Sequence, residues 1–125
     1  MNTFTRFCVV GGFGFIVDVL FFTIFNTFMD NIMLARLVAF WMAASATWFG
    51  NRIYTYSHQQ FDGVFSQWVK YILSVHFSGG INLLIFWNLK EISAIPLAFS
   101  LGILAGLLSN YFFANRFVFI KQSRQ

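Results

Sequence analysis

The sequence predicts an all-α integral membrane protein: a bundle of four membrane-crossing helices, built as two repeated helical hairpins with both termini in the cytoplasm. Three observations predict it: the composition, the number and length of the apolar runs, and the placement of positive charge around them. Of the 125 residues, 58% are apolar and 10% are charged, and the mean hydropathy is +0.70. A soluble domain is about 25% charged. A chain with 19 phenylalanines leaves too little polar surface to dissolve a globule. One proline and nine glycines exclude a loop-rich or disordered chain. The lone Cys8 excludes an internal disulfide.

The first span is expected over residues 7–28. Arg6 ahead of an apolar stretch resembles the start of a signal peptide. However, the run passes signal length, contains Asp18 and offers no small-x-small cleavage site, so a retained span is expected. The second, third and fourth spans are expected over 34–51, 68–89 and 95–115. Each is near the length of about 20 residues that crosses hydrocarbon as a helix. Strands of a membrane barrel would alternate polar and apolar residues, and these runs do not. Helices satisfy their own backbone groups, which lipid cannot do for them. Residues 1–125 read as a single transmembrane domain.

Charge sets the expected orientation. Arg6, Arg52, Lys70, Arg116, Lys121 and Arg124 fall on one side of this layout. Arg36 and Lys90 fall on the other, each near an acid, Asp30 or Glu91. That bias places the first set, and both termini, in the cytoplasm. Tyr54, Tyr56, Trp68 and Tyr71 then form an inner interfacial belt, with Trp87 near the outer edge. The net charge of +4 does not point to nucleic acid, because the cations sit at the ends of apolar runs instead of on one polar face.

An internal repeat is expected at a spacing of 64. Arg6 and Lys70, Asp18 and Asn82, Ser45 and Ser109, Asn51 and Asn115, and Arg52 and Arg116 all lie 64 apart. Each unit holds two spans, so both copies enter the membrane in the same direction. Small and polar residues also recur at helical spacing: Gly11, Gly14 and Asp18; Ser74, Ser78 and Asn82; Gly102, Gly106 and Asn110. The four glycines are expected to pack helices closely, as small residues do in membranes.

Asp18 lies about halfway along the first span. An ionised carboxylate at mid-bilayer costs about 2.5–3.5 kcal/mol on insertion scales, so it should face protein or water. It is either a structural acceptor bonded across helices, to Asn82 or Asn110, or part of a polar path that binds a proton or substrate hydroxyls. Arg52 and Arg116 end the second and fourth spans at headgroup depth, where a planar guanidinium matches phosphate oxygens. Asn51 and Asn115 stand beside them, able to orient the fork or bond sugar hydroxyls. The acids Asp18, Asp30, Asp62 and Glu91 are widely separated, and His58 and His76 have no triad or ligand spacing. The "GGFG" at 11–14 lacks the lysine and the strand–helix context of a phosphate loop. Neither a metal, a cofactor nor an enzymatic activity is expected.

The stretches "RFCVVGGFGFIVDVLFF" (6–22), "NRIYTY" (51–56), "FSQWVKY" (65–71) and "NYFFANRFVF" (110–119) together resemble a GtrA-like protein. The resemblance covers nearly the whole chain, and its matching positions are Gly11, Asp18, Asn51, Arg52, Asn82, Asn110 and Arg116. The second ending departs by being one residue shorter before its last aromatic. The resemblance implies flipping of a polyprenyl-phosphate-linked sugar across the bacterial inner membrane for cell-surface polysaccharide or O-antigen modification. It implies membrane glycosyltransferases of the same pathway as partners. On this reading Arg52, Arg116, Lys70 and Arg6 take the lipid phosphate, and Asp18, Asn82, Asn110, Asn51 and Asn115 serve a sugar or proton path. Four spans make a thin furrow, so a homodimer is expected, through exposed Phe side chains and the Gly102–Gly106 face. Two other readings stand beside it. One is a membrane adaptor that anchors a glycosyltransferase and moves nothing. The other is an efflux transporter resembling the small multidrug-resistance proteins, which rely on a glutamate and have no use for headgroup-level arginines.

Overall fold

An asparagine opens each helix of the first hairpin in the computed structural model, which describes residues 1–59 and 63–120. Lys121 and Arg124, used in the charge reading, and Asp62, one of the separated acids, lie outside the described residues. Asn2 Oδ1 accepts from the Thr5 N–H at 2.8 Å and starts α1, Thr3–Phe28. Asn31 Oδ1 accepts from the N–H groups of Met33 and Leu34 at 3.0 and 3.1 Å and starts α2, Ile32–Gly50. These caps satisfy donors that a helix start leaves orphaned. In the second hairpin α3 spans Val64–Leu89 and α4 spans Ile95–Phe113. Gly63 precedes α3 at φ 65°, a left-handed conformation suited to glycine. Pro96 lies in the first turn of α4, where its missing N–H removes no helical bond.

Among the described residues all regular structure is helical, and four helices are long and apolar enough to cross a membrane. With their terminal turns they run Thr3–Phe28, Ile32–Thr55, Val64–Leu89 and Ile95–Val118. The 24-residue members reach about 36 Å at 1.5 Å per residue, enough for a hydrocarbon core of about 30 Å. Most large apolar side chains on all four helices are exposed, as expected of surfaces meeting lipid. The chain divides into two units, one for each hairpin. Each has a turn end, where its two helices connect, and an open end.

In the first hairpin α2 buries Ala35, Ala39 and Ala43, spaced i, i+4, i+8, and α1 buries Phe7, Val10 and Gly14. A Cβ added at Gly14 would run into the Thr47 hydroxyl, and one at Gly50 would lie 2.9 Å from Val10 Cγ1. In the second hairpin α4 buries Ala98, Gly102 and Gly106, and α3 buries Tyr71, Ser74 and Ser78. Small residues let the helix axes close, so that many dispersion contacts of about 0.1–0.2 kcal/mol accumulate where lipid gives no hydrophobic drive.

Both second helices end in a π-helical turn, Asn51–Thr55 and Ala114–Val118. The Tyr56 N–H donates to the Asn51 carbonyl at 2.9 Å, and the Phe119 N–H donates to the Ala114 carbonyl at 2.8 Å, each five residues back. Asn51, Thr55 and Tyr56 are buried in one hairpin; Ala114, Val118 and Phe119 are buried in the other.

These burial patterns correct the register of the repeat. Phe7, Val10 and Gly14 correspond to Tyr71, Ser74 and Ser78 at the expected offset of 64. The second helices correspond at 63: Ala35 with Ala98, Ala39 with Gly102, Thr55 with Val118, Tyr56 with Phe119. The second hairpin is therefore one residue shorter between its two buried faces. One residue turns a helix by about 100°, so the Asn51/Asn115, Arg52/Arg116 and Ser45/Ser109 pairs do not occupy equivalent positions. Asn51 is fully buried and its true counterpart is Ala114, while Asn115 is exposed. Arg52 corresponds to Asn115, and Arg116 to Ile53.

Candidate functional site

The open end of the first hairpin carries a cleft of about 400 Å³, lined among others by Asn2, Thr3, Arg6, Thr55, Tyr56 and His58. The first turn of α1 supplies Arg6, and the π turn with the bend after it supplies the opposite wall. Arg6 Nη1 donates to the Tyr54 carbonyl at 3.4 Å, and its guanidinium lies 5.4 Å from the centre of the Tyr54 ring. Its Nε is buried with no hydrogen-bond partner, as is Oε1 of Gln59, which also lines the cleft. A helix N-terminus and a guanidinium with donors to spare make this cleft suited to an anion such as a phosphate.

The neighbouring residues of the π turn divide their roles. Asn51 Oδ1 accepts from the buried Thr55 hydroxyl at 2.7 Å, which holds the widened turn. Arg52 is half-buried with its guanidinium 6.0 Å from the Trp48 ring centre, and it is not among the residues lining the cleft.

Asp18 has a partner that the sequence reading assigned elsewhere. Arg36, little more than one turn into α2, donates from Nη1 to Asp18 Oδ2 at 2.6 Å. The Arg36 guanidinium also lies 5.5 Å from the centre of the Phe22 ring. The Asp18 side chain is 13% exposed and that of Arg36 is 51% exposed. The second carboxylate oxygen, Oδ1, is buried without a partner. Arg36 falls within the apolar run 34–51. A cation inside an apolar span calls for a counter-ion, and that signal was available from the sequence.

The second hairpin has a polar seam without charge. The Ser74 hydroxyl donates to the Tyr71 carbonyl at 2.8 Å and reaches Asn110 Oδ1 at 3.5 Å. Asn82 is packed against two glycines: a Cβ at Gly102 would lie 2.6 Å from its Oδ1, and one at Gly106 would lie 3.0 Å from its Cβ. The Ser78 hydroxyl is buried with no partner. At the open end Lys70, Asn115 and Arg116 are exposed, and Asn115 Nδ2 donates to the Tyr111 carbonyl at 3.0 Å. At the turn end Lys90 Nζ donates to Glu91 Oε1 at 2.6 Å, and this bond and charge hold the Glu91 carboxyl below the usual carboxylate range.

The structure thus brings Arg6 together with His58 and Thr55, Asp18 with Arg36, Ser74 with Asn110, and Asn82 with Gly102 and Gly106. Gly14 meets Thr47, whereas Gly11 has nothing within 4 Å of an added Cβ. The sequence reading gave Arg36 only a part in orientation and His58 no role, and it did not single out Thr47 or Gly50. Compared with known families, the chain matches the GtrA/DPMS transmembrane domain over residues 6–124. No curated protein matches it.

Proposed function

The chain belongs to the GtrA/DPMS transmembrane-domain family and is a multi-pass membrane protein, and from that premise we propose that it flips a polyprenyl-phosphate-linked monosaccharide across the bacterial inner membrane for cell-surface polysaccharide glycosylation. The observation that carries this reading is the basic cleft around Arg6, which stands at the end of a hairpin whose span holds a further polar pair. A polyprenyl tail is at home in lipid and needs no enclosure. The obstacle is the headgroup, since each unpaired polar group in hydrocarbon costs several kcal/mol. Polar side chains placed along the helices lower that barrier in steps while the tail stays outside.

The proposed sequence begins at the cytoplasmic face, to which the open ends are assigned by their cations. Arg6, with Arg52 at the same open end, takes the phosphodiester in the first hairpin, and Lys70 and Arg116 attract an anionic headgroup at the open end of the second. Each within its own hairpin, Asp18 in the first and Asn82 and Asn110 in the second then exchange bonds with sugar hydroxyls, and Asn51 keeps the π turn shaped for the cleft. Asn115 contributes at the headgroup level. The protein acts as a carrier and catalyses no bond change; membrane glycosyltransferases supply and consume the lipid. Two copies form the working unit in this proposal.

The test is reconstitution of the purified chain into liposomes with a polyprenyl-phosphate sugar, followed by a membrane-impermeant oxidant. Wild type should render sugar from both leaflets oxidisable. Arg6→Gln together with Arg52→Gln should leave inner-leaflet sugar protected while the protein stays inserted. Inner-leaflet sugar left protected with wild type present would instead support an adaptor that only positions a glycosyltransferase.

A further inference from the structure

The two hairpins differ most where the first holds its ion pair. By the corrected register, Asp18, Phe22 and Arg36 correspond to Asn82, Phe86 and Phe99. Phe86 and Phe99 meet edge to face with ring centres 6.4 Å apart, and Arg36 lies over Phe22 at 5.5 Å. An aromatic edge in one hairpin therefore fills the place that a guanidinium fills in the other. The fold does not require a charge there. A guanidinium within a span is costly to keep, which calls for a use beyond packing.

The geometry of the pair is lopsided. The carboxylate is nearly enclosed, while half of the Arg36 side chain is open to its surroundings. One guanidinium nitrogen meets Asp18 Oδ2, and Oδ1 is left buried and unpartnered, so the planar two-bond match is not made. A purely structural arginine–carboxylate pair gains most from that match. Here the guanidinium presents free donor capacity outward, held by a single bond.

We propose that Arg36 is a second phosphate-binding residue, partway along the path, for which Asp18 holds the place. This rests on the reading of the chain as a carrier of polyprenyl-phosphate-linked sugar. When the headgroup arrives, the guanidinium exchanges Asp18 for the phosphate oxygens. The released carboxylate accepts from hydroxyls of the attached sugar, whose phosphate now sits on Arg36. Every charged group keeps a partner through the exchange, and no covalent bond changes. When the headgroup leaves, the ion pair closes again.

Binding of undecaprenyl phosphate carrying one hexose to the full chain in nanodiscs tests this, with uncharged undecaprenol as control. Arg6→Gln removes the open-end cleft as a phosphate site, so the comparison is Arg6→Gln with and without Arg36→Gln. Phosphate binding should weaken by about tenfold or more when Arg36 is lost, as for a charge-assisted bond, with undecaprenol binding unchanged. Asp18→Asn, in the Arg6→Gln chain, should tighten phosphate binding by removing the competitor. If Arg36→Gln unfolds the chain by stranding Asp18, the Asp18→Asn, Arg36→Gln pair carries the same comparison with neither charge present. Equal phosphate binding with and without Arg36 overturns the Arg36 assignment alone. Absence of phosphate binding in wild type overturns the carrier reading itself.

Discussion

At Gly102 an added Cβ would lie 2.6 Å from Asn82 Oδ1 and 2.8 Å from the Asn82 carbonyl oxygen. The side-chain amide can turn away, but the backbone oxygen cannot without moving α3. Gly102→Ala is therefore expected to destabilise by about 1–3 kcal/mol, the usual cost of overpacking. Gly11→Ala, which meets open space, should stay within about 0.5 kcal/mol or stabilise. Thermal unfolding in detergent compares the two. The sequence marks both glycines as members of helical stripes, and nothing in their spacing tells them apart. The difference arises from which face meets the partner helix, a property of the hairpin and not of the residue. Asp18 was legible because a carboxylate inside an apolar run stands out wherever it occurs. The need of Arg36 for a counter-ion was legible in the same way; that Asp18 supplies it was not, because that depends on how a turn of three residues, 29–31, sets α1 against α2.

The two π turns share a backbone pattern but not their side chains, since Asn51 and Thr55 of the first correspond to Ala114 and Val118 of the second. In the first, the buried Thr55 hydroxyl depends on Asn51 Oδ1. Asn51→Ala should cost about 1–3 kcal/mol by leaving that hydroxyl buried without this acceptor. Asn115→Ala removes an exposed side chain and should cost less than about 1 kcal/mol. Equal effects, measured as midpoints of thermal unfolding, would restore the spacing of 64. Helix number and type were readable because apolar length is a local signal. The register of the second helices was not. Two matching Asn-Arg dipeptides spoke for 64, while the quieter series Ala35, Ala39, Ala43 against Ala98, Gly102, Gly106 spoke for 63. Small residues at helix contacts outweigh conspicuous ones at helix ends, because buried faces fix the packing.

For the molecule as a whole, the sequence made the membrane assignment plain, since its apolar surface has no other solvent. Orientation is open to a direct measurement. In a Cys8→Ser background, Ser57→Cys at the open end of the first hairpin should react with an impermeant thiol reagent only in inverted vesicles. Ile92→Cys, in the turn of the second, should react only in spheroplasts. Both positions are exposed. The uneven offset also bears on any attempt to build with these halves. Ile32 begins α2 and Ile95 begins α4, 63 positions on. A chimera that grafts α4 in place of α2 must be cut at that pair to keep its alanine–glycine seam turned inward. Cut instead where the letters Asn and Arg line up, the graft would present the seam about a quarter-turn away from α1, and the two halves would no longer be interchangeable parts.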